Sequence, residues 1–366
     1  MLDQLIEEIN REFENAQPLI VSDYDPENHV LDLSTNRYWH AMLTLRHVIR
    51  LMCDEFFAYK KNGTNIDLFM LTPSVSSPMG PGSDSEAIPI QFGKLRTFLV
   101  DSSQFGFEPV LMNDFNLLYC YLPSMRGENF DTRHLNQFFH CEAEMRGGLE
   151  DVMSLVEEYI RLISEGVYAL SNLVSCLSKS PEHSFFALKN IIASDKFKRI
   201  TFDDAVSLLE KEGYPQYVRY TDHGRDISSD GEVRLSKIFS PEVPFWITHY
   251  DRDRVPFYQK PDPQSPSRTL NADLIFPPLL ENSFGGEVVG CGQRQDDPKE
   301  CFDSLNRQGL SDEPYRWYIQ LRSLPQYVQT SGFGMGIERY ITWVLCRDDI
   351  KEAIPYPRLK DVATCP

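Results

Sequence analysis

Near the C-terminal end, Ser331-Gly-Phe-Gly-Met-Gly-Ile-Glu-Arg339 places glycines at 332, 334 and 336, every second residue, and then enters a helical pattern near Glu338 to Cys346. A strand with alternating glycines presents one face without side chains, which suits close approach by something flat or tight packing against a helix. Taken alone, packing is the favoured reading. The run also removes two common phosphate motifs. A dinucleotide fingerprint needs GxGxxG opening a helix, and position 337 is Ile; no GxxxxGK occurs anywhere in the chain.

The rest of the chain mixes helix and strand signals. Leu2, Leu5, Ile6, Ile9 and Phe13 have helical spacing, and Leu19 to Leu33 reads as extended. From Asn36 to about Lys61 the apolar set predicts a long helix closed by Asn62-Gly63. A strand is expected over Ile66 to Leu71, an irregular Ser/Pro/Gly loop over 74–90, and short strands at Thr97 to Val100, Leu117 to Leu122 and Gln137 to Cys141, which together suggest an antiparallel sheet. Helices follow over Leu149 to Leu177 and Phe202 to Glu212. The Pro-rich stretch from Pro241 to Pro278 holds three strand-like pieces, PFWITHY, VPFY and ADLIF. A strand over Glu287 to Val289 and a helix over Tyr315 to Arg322 complete the set. Without regular βα alternation, the class is α+β.

Composition narrows the field. At 42% hydrophobic and 12% aromatic, 366 residues can bury a large core, which excludes a disordered chain. A formal charge of -18 repels polyanions, so nucleic-acid binding begins at a disadvantage. The acidic, amphipathic N-terminus lacks the basic start and apolar stretch of a signal peptide, making the cytoplasm the expected compartment. Eight cysteines without a CxxC pair read as reduced, mostly buried thiols.

Three constellations carry chemistry. Arg126, Glu128, Arg133, His134 and Phe138 bring guanidiniums, a carboxylate, an imidazole and an aromatic ring within thirteen residues. Guanidiniums fork onto phosphate, a carboxylate accepts from an amino group, and a ring stacks on a purine; a polar hairpin with surface ion pairs would look similar. Asp273 and Glu287, facing one groove, would suit Mg2+ on a polyphosphate, while apart they would be ordinary surface acids. The glycine strand is the third.

In this order the segments resemble the catalytic core of class II aminoacyl-tRNA synthetases, asparaginyl/aspartyl branch. IDLFMLTP at 66–73 is similar to the family's motif 1, RGENFDTRHLNQFFHCE at 126–142 to motif 2 and GFGMGIER at 332–339 to motif 3; VDSSQFGFE at 100–108, GGEVVGCGQR and EPYRWYIQLR resemble the asparaginyl branch as well. The resemblance implies an antiparallel sheet flanked by helices, a homodimer through motif 1, and ATP with Mg2+ as cofactors. It implies that Arg126 and Arg339 are catalytic, and that Arg126, Glu128, Arg133, His134, Phe138 and Arg339 bind ATP, with Phe138 and Arg339 enclosing the adenine. Asp273 and Glu287 would hold the metal. Ser102, Gln104, Glu108, Glu142, Arg294 and Arg322 would bind the amino acid, Arg294 at its α-carboxylate and Glu142 at its α-amino group. The aspartyl branch has a Lys where this chain has Phe107, and Glu108 follows the asparaginyl pattern.

Residues 1–35 look like a short N-terminal element ahead of a catalytic domain at 36–366. In place of the family's anticodon-binding barrel they carry Arg11 as their only Lys or Arg. This truncation resembles the asparagine synthetase related to asparaginyl-tRNA synthetase. The expectation is therefore an ATP-dependent ligase that adenylates aspartate or a related amino acid and forms an amide with ammonia or a small amine, with tRNA an unlikely partner. The alternatives are a truncated asparaginyl-tRNA synthetase charging tRNA, or a non-catalytic paralogue that binds an amino acid or nucleotide.

Overall fold

The computed structural model describes residues 2–76 and 85–365. Its centre is an eight-stranded sheet built from β1 (Thr64–Asn65), β2 (Leu117–Met125), β3 (Gln137–Arg146), β4 (Lys198–Thr201), β5 (Phe245–Thr248), β6 (Asn271–Phe276), β7 (Gly286–Gln293) and β8 (Thr330–Gly336). The spatial order is β1-β2-β3-β8-β7-β6-β5-β4. The β1/β2 and β5/β4 pairs at the two edges are parallel and every pair between them is antiparallel. This is the α+β architecture expected, a largely antiparallel sheet flanked by helices.

Helices cover one face. The helices Arg37–Asp54 and Leu149–Ala169 bury Trp39, Met42, Leu45, Ile49, Val152, Val156, Tyr159 and Ile163 against Phe333, Met335 and Val289 of the sheet, forming the main core. Burying a large aliphatic side chain is worth about 1.5–3 kcal/mol, so this layer carries much of the fold's stability. The opposite face stays open over β3, β8, β7 and β6, and there the glycine strand lies. Gly332, Gly334 and Gly336 pair with Glu144, Glu142 and His140 of β3. At Gly332 an added Cβ would come 1.8 Å from Glu144 Oε2, so the bare face exists to let neighbouring side chains cross it. The helix Ile337–Val344 starts directly after β8. Glu338 pins it down, pairing with Arg46 at 2.7 Å and accepting from the Phe139 N–H at 2.8 Å.

Most expected elements are present. The first long helix runs as Arg37–Asp54, continues through a π-turn at Glu55–Lys60, and ends where Asn62 takes φ 53°. Leu149–Ala169 and Ser171–Leu177 divide the helix expected over 149–177. Three expectations fail. Leu19 to Leu33 is not wholly extended, because the Asp25 carbonyl accepts from the His29 N–H at 2.8 Å and starts a helix at His29–Thr35. Ile66 to Leu71 makes no continuous ladder: only Thr64–Asn65 and Leu71–Thr72 pair, and Phe69 and Met70 between them are exposed. VPFY is a turn closed by the Gln259 N–H on the Pro256 carbonyl at 3.0 Å; its rings pack beside Phe105, Tyr315 and Tyr318, so burial there reflects an aromatic cluster instead of strand pairing.

Helices at Pro181–Ala193, Ser229–Phe239 and Pro298–Arg307 were not anticipated, although Ser228 and Asp297 cap two of them in the ordinary way. Residues 77–84 of the expected 74–90 loop lie outside the described residues. Seven cysteines are buried, Cys365 is exposed, and all are free thiols. Among the described residues no helix is long and apolar enough to cross a membrane.

Candidate active site

The open face of the sheet carries two joined cavities. The smaller, of about 60 Å³, is lined by Arg126, Glu128, Arg133, His134, Phe138, Glu287 and Arg339, among others. The larger, of about 360 Å³, is lined by Ser102, Gln104, Glu142, Asp273, Arg294 and their neighbours. Arg126, His140, Glu287 and Gly334 line both, and so mark the junction. Every candidate residue of the sequence analysis lies on one of these walls except Glu108 and Arg322.

Strand alternation explains the convergence. Side chains two apart on β3 point to one face, and Phe138, His140, Glu142 and Glu144 form such a row. The turn before it is braced by Asn136, whose amide donates to the carbonyls of Arg126 and Glu128 at 2.8 and 2.7 Å. Arg126 lies 5.2 Å from the Phe138 ring, and its Nε is buried without a hydrogen-bond partner among the described residues. An orphaned guanidinium N–H in a cavity suits an anionic ligand, because leaving it unpaired costs about 1–3 kcal/mol. Arg339 donates to the Glu287 carbonyl and carboxylate at 3.1 and 3.2 Å. Phe138 and Arg339 share the smaller cavity, an arrangement suited to a flat base with a ring on one side and a cation on the other. Nearby, Arg133 stacks on Phe284 at 4.8 Å and His134 bonds Asp131 at 2.9 Å.

The acids form a second feature. A Cβ on Gly290 would stand 3.3 Å from both Asp273 Oδ1 and Glu287 Oε1, so the two carboxylates converge over that glycine. Burial and then the charges of Glu287 and Glu232 push the Asp273 carboxyl well above the usual range. Burial would raise Glu287 as well, but Arg339 and Arg126 outweigh it and hold that carboxyl low. Such unbalanced hard-oxygen charge fits Mg2+. Among the described residues no three His, Cys, Asp or Glu side chains are grouped to hold a metal, so a cation here would complete its shell from phosphate oxygens and water, as Mg2+ commonly does. Glu232, on the helix Ser229–Phe239, was missed by the sequence analysis; it accepts from the Glu287 N–H at 3.0 Å, and burial followed by Glu287 pushes its carboxyl up to about 7. Nothing local in its sequence marks it.

At the far end of the larger cavity, Arg294 forks onto Glu144, Nε to Oε1 at 2.8 Å and Nη2 to Oε2 at 2.6 Å, with both side chains almost wholly buried. Burial, opposed by Arg294, pushes Glu144 up to about 7. Glu144 was also missed, though it stands two residues after Glu142, and period-two reading of β3 would have found it. Glu142 accepts from Ser102 and from the Ser103 N–H at 2.7 Å.

Glu108 and Arg322 are a correction to the expected side-chain end. They lie behind the cavity in a closed knot: Arg322 donates to Glu108 at 2.7 Å and to the carbonyls of Gln295 and Tyr318 at 2.8 and 3.0 Å, while the Tyr318 hydroxyl donates to Glu108. With their bonding spent on the protein, they support the pocket without lining it.

Comparison with known proteins agrees with this architecture. Residues 22–360 match the family model of tRNA synthetases class II (D, K and N). An asparagine-tRNA ligase of Streptococcus agalactiae is 31% identical over 348 residues, covering 92% of this chain and 72% of its own. One from Lactococcus lactis subsp. cremoris is 30% identical over 323 residues, covering 87% and 68%. The asparaginyl-tRNA synthetase of Pyrococcus horikoshii, complexed with asparaginyl-adenylate, superposes with a TM-score of 0.81 at 24% identity over 93% of this chain and 74% of that one. The Entamoeba histolytica asparaginyl-tRNA synthetase complex gives 0.77 at 23%, over 95% and 74%. These relatives are tRNA ligases, so the expectation that tRNA is an unlikely partner finds no support in them. With the motif-bearing strands and both cavities falling inside the matched span, the chain belongs to the class II tRNA synthetases of the aspartate, lysine and asparagine group, a family of ATP-dependent ligases.

Proposed function

We propose that this protein binds ATP and asparagine, joins them as asparaginyl-adenylate, and passes the asparaginyl group to tRNA. The observation that carries the choice of amino acid is the Arg294–Glu144 fork. A lone arginine on the cavity wall would attract a second carboxylate; one already neutralised by a buried glutamate has less pull on a carboxylate and keeps Nη1 to donate to the oxygen of a neutral amide. Arg294 would thus read the side chain and not the α-carboxylate expected from the resemblance. The aspartate-and-ammonia reading would need a cation for a second carboxylate at Arg294, and that arginine is already paired with Glu144.

In activation the α-carboxylate of the amino acid attacks the α-phosphorus of ATP, and pyrophosphate leaves. The nucleophile is already ionised, so the protein's part is alignment and charge stabilisation. Arg126 would meet the α-phosphate at the cavity junction, Arg133 and His134 the outer phosphates, Phe138 and Arg339 the adenine, and Glu128 its amino group. Glu142, with Ser102 and Gln104 beside it, would receive the α-amino group. Mg2+ held by Asp273 and Glu287 would neutralise phosphate charge. The chain would act as a homodimer through the segment at 66–73, where Phe69 and Met70 are exposed.

The test is asparagine-dependent ATP-pyrophosphate exchange followed by transfer of labelled asparagine to total tRNA. Exchange with label on tRNA is expected. Exchange with aspartate and free asparagine formed only with ammonium would replace this reading by the amide ligase, and no exchange with any amino acid would leave a binding paralogue.

A further inference from the structure

Resting on the adenylate reading above, we infer that His140 is the catalytic base of the second step, accepting the proton of the nucleophile that opens the adenylate. His140 is one of the side chains lining both cavities. If adenine lies against Phe138 and the amino-acid side chain against Arg294, the acyl-phosphate bond between them falls at that junction. No role has so far been required of this imidazole.

Its surroundings suit a base. His140 Nδ1 lies 2.9 Å from Ser124 Oγ and 3.3 Å from Glu142 Oε1, and the ring meets Phe138 edge-on at 4.8 Å between centroids, which sets its plane. The Glu142 carboxylate is kept ionised, because His140, Ser102 and Ser103 together outweigh the effect of its burial. With the Glu142 carboxylate beside it, Nδ1 is favoured to carry the proton and donate to Ser124 Oγ, which leaves the Nε2 lone pair free. Among the described residues no hydrogen bond engages Nε2, and the ring is partly open to the cavity. The charged groups that share its smaller cavity are Arg126 at the end of β2, Glu128, Arg133 and His134 in the turn before β3, Glu287 on β7, and Glu338 and Arg339 on the helix after β8; Glu142 is its neighbour on β3, and Gly336 of β8 pairs with it.

The step balances without any added reagent. The nucleophile's oxygen or nitrogen bonds to the acyl carbon, its proton passes to His140 Nε2, and the carbon–oxygen bond to phosphate breaks with the electron pair leaving on AMP. The imidazolium then releases its proton to solvent. General-base catalysis of this kind contributes about 100-fold or more.

The test isolates enzyme-bound labelled asparaginyl-adenylate and chases it with total tRNA in single turnover, for the wild type, His140→Gln and His140→Ala, with pyrophosphate exchange measured alongside. Transfer in His140→Gln is expected to fall about 100-fold further than adenylate formation does. The pH dependence of its transfer step should differ from that of the wild type, and added imidazole should partly restore His140→Ala. Equal losses in both steps, or an unchanged pH profile in the variants, would overturn the assignment while sparing the adenylate reading. A wild type that forms no adenylate removes both.

Discussion

Two of the buried arginine–glutamate pairs, Arg294–Glu144 and Arg322–Glu108, are built from the same atoms and put to different ends. Arg294 lines the cavity and forks onto the wholly buried Glu144, and its Nη1 has no hydrogen bond among the described residues. Arg322 and Glu108 make an equally dry pair, but all three guanidinium nitrogens and both carboxylate oxygens are used within the protein. The difference teaches that burial and charge do not identify a binding group. A donor left unused beside a cavity is the better mark.

The largest expected effect separates the pairs by replacement with apolar residues. Changing Glu108 and Arg322 together to Leu and Met should leave a folded enzyme with pyrophosphate exchange within about tenfold of wild type, since buried ion pairs are often replaceable by packed hydrophobes. The same double change at Glu144 and Arg294 should abolish asparagine-dependent exchange. Loss of exchange in the first variant as complete as in the second would break the comparison. Single removal is the next test: Arg322→Ala strands Glu108 and should cost about 3–5 kcal/mol in urea unfolding.

A finer probe is Gly332→Ala, whose Cβ would strike Glu144 Oε2 and crowd Arg294 Nη2 at 2.6 Å and the Ala143 carbonyl at 2.7 Å. It should raise the asparagine KM far more than Gly334→Ala, where the nearest atom, Glu142 Oε1, stands 3.3 Å away. Equal KM values would show that the fork does not touch substrate. The smallest effect concerns the acids. Glu232 is raised from 4.5 to about 7 by burial and Glu287. The folded chain therefore holds more protons than the unfolded one between those values, and stability falls as pH rises through that window. Melting without nucleotide should drop by about 2 °C for each kcal/mol lost between pH 5 and 8, and MgATP should offset it. A flat profile would show that the acids are already balanced.

Much of this was legible in the residues. The glycine period placed β8, the mixed run at 126–142 lines the smaller cavity, and Asp273 and Glu287 converge as expected. What escaped was set by three-dimensional context. Arg294 and Arg322 are alike as letters, and only tertiary packing decides that one faces the cavity and the other a tyrosine and two carbonyls. Glu232 reaches the site from a helix far along the chain, with no local pattern to announce it. The segment 66–71 has the composition of a strand, but pairing depends on a neighbour, and among the described residues its middle, 67–69, joins no ladder.

The central claim is that the Arg294–Glu144 fork selects an amide over a carboxylate. Its most direct measurement is pyrophosphate exchange with asparagine and aspartate side by side, in wild type and Glu144→Gln. Exchange with asparagine and little with aspartate is expected in the wild type, with a shift toward aspartate in Glu144→Gln as Arg294 loses its counter-charge. Wild-type exchange with aspartate equal to that with asparagine, or a preference unmoved by Glu144→Gln, would contradict it.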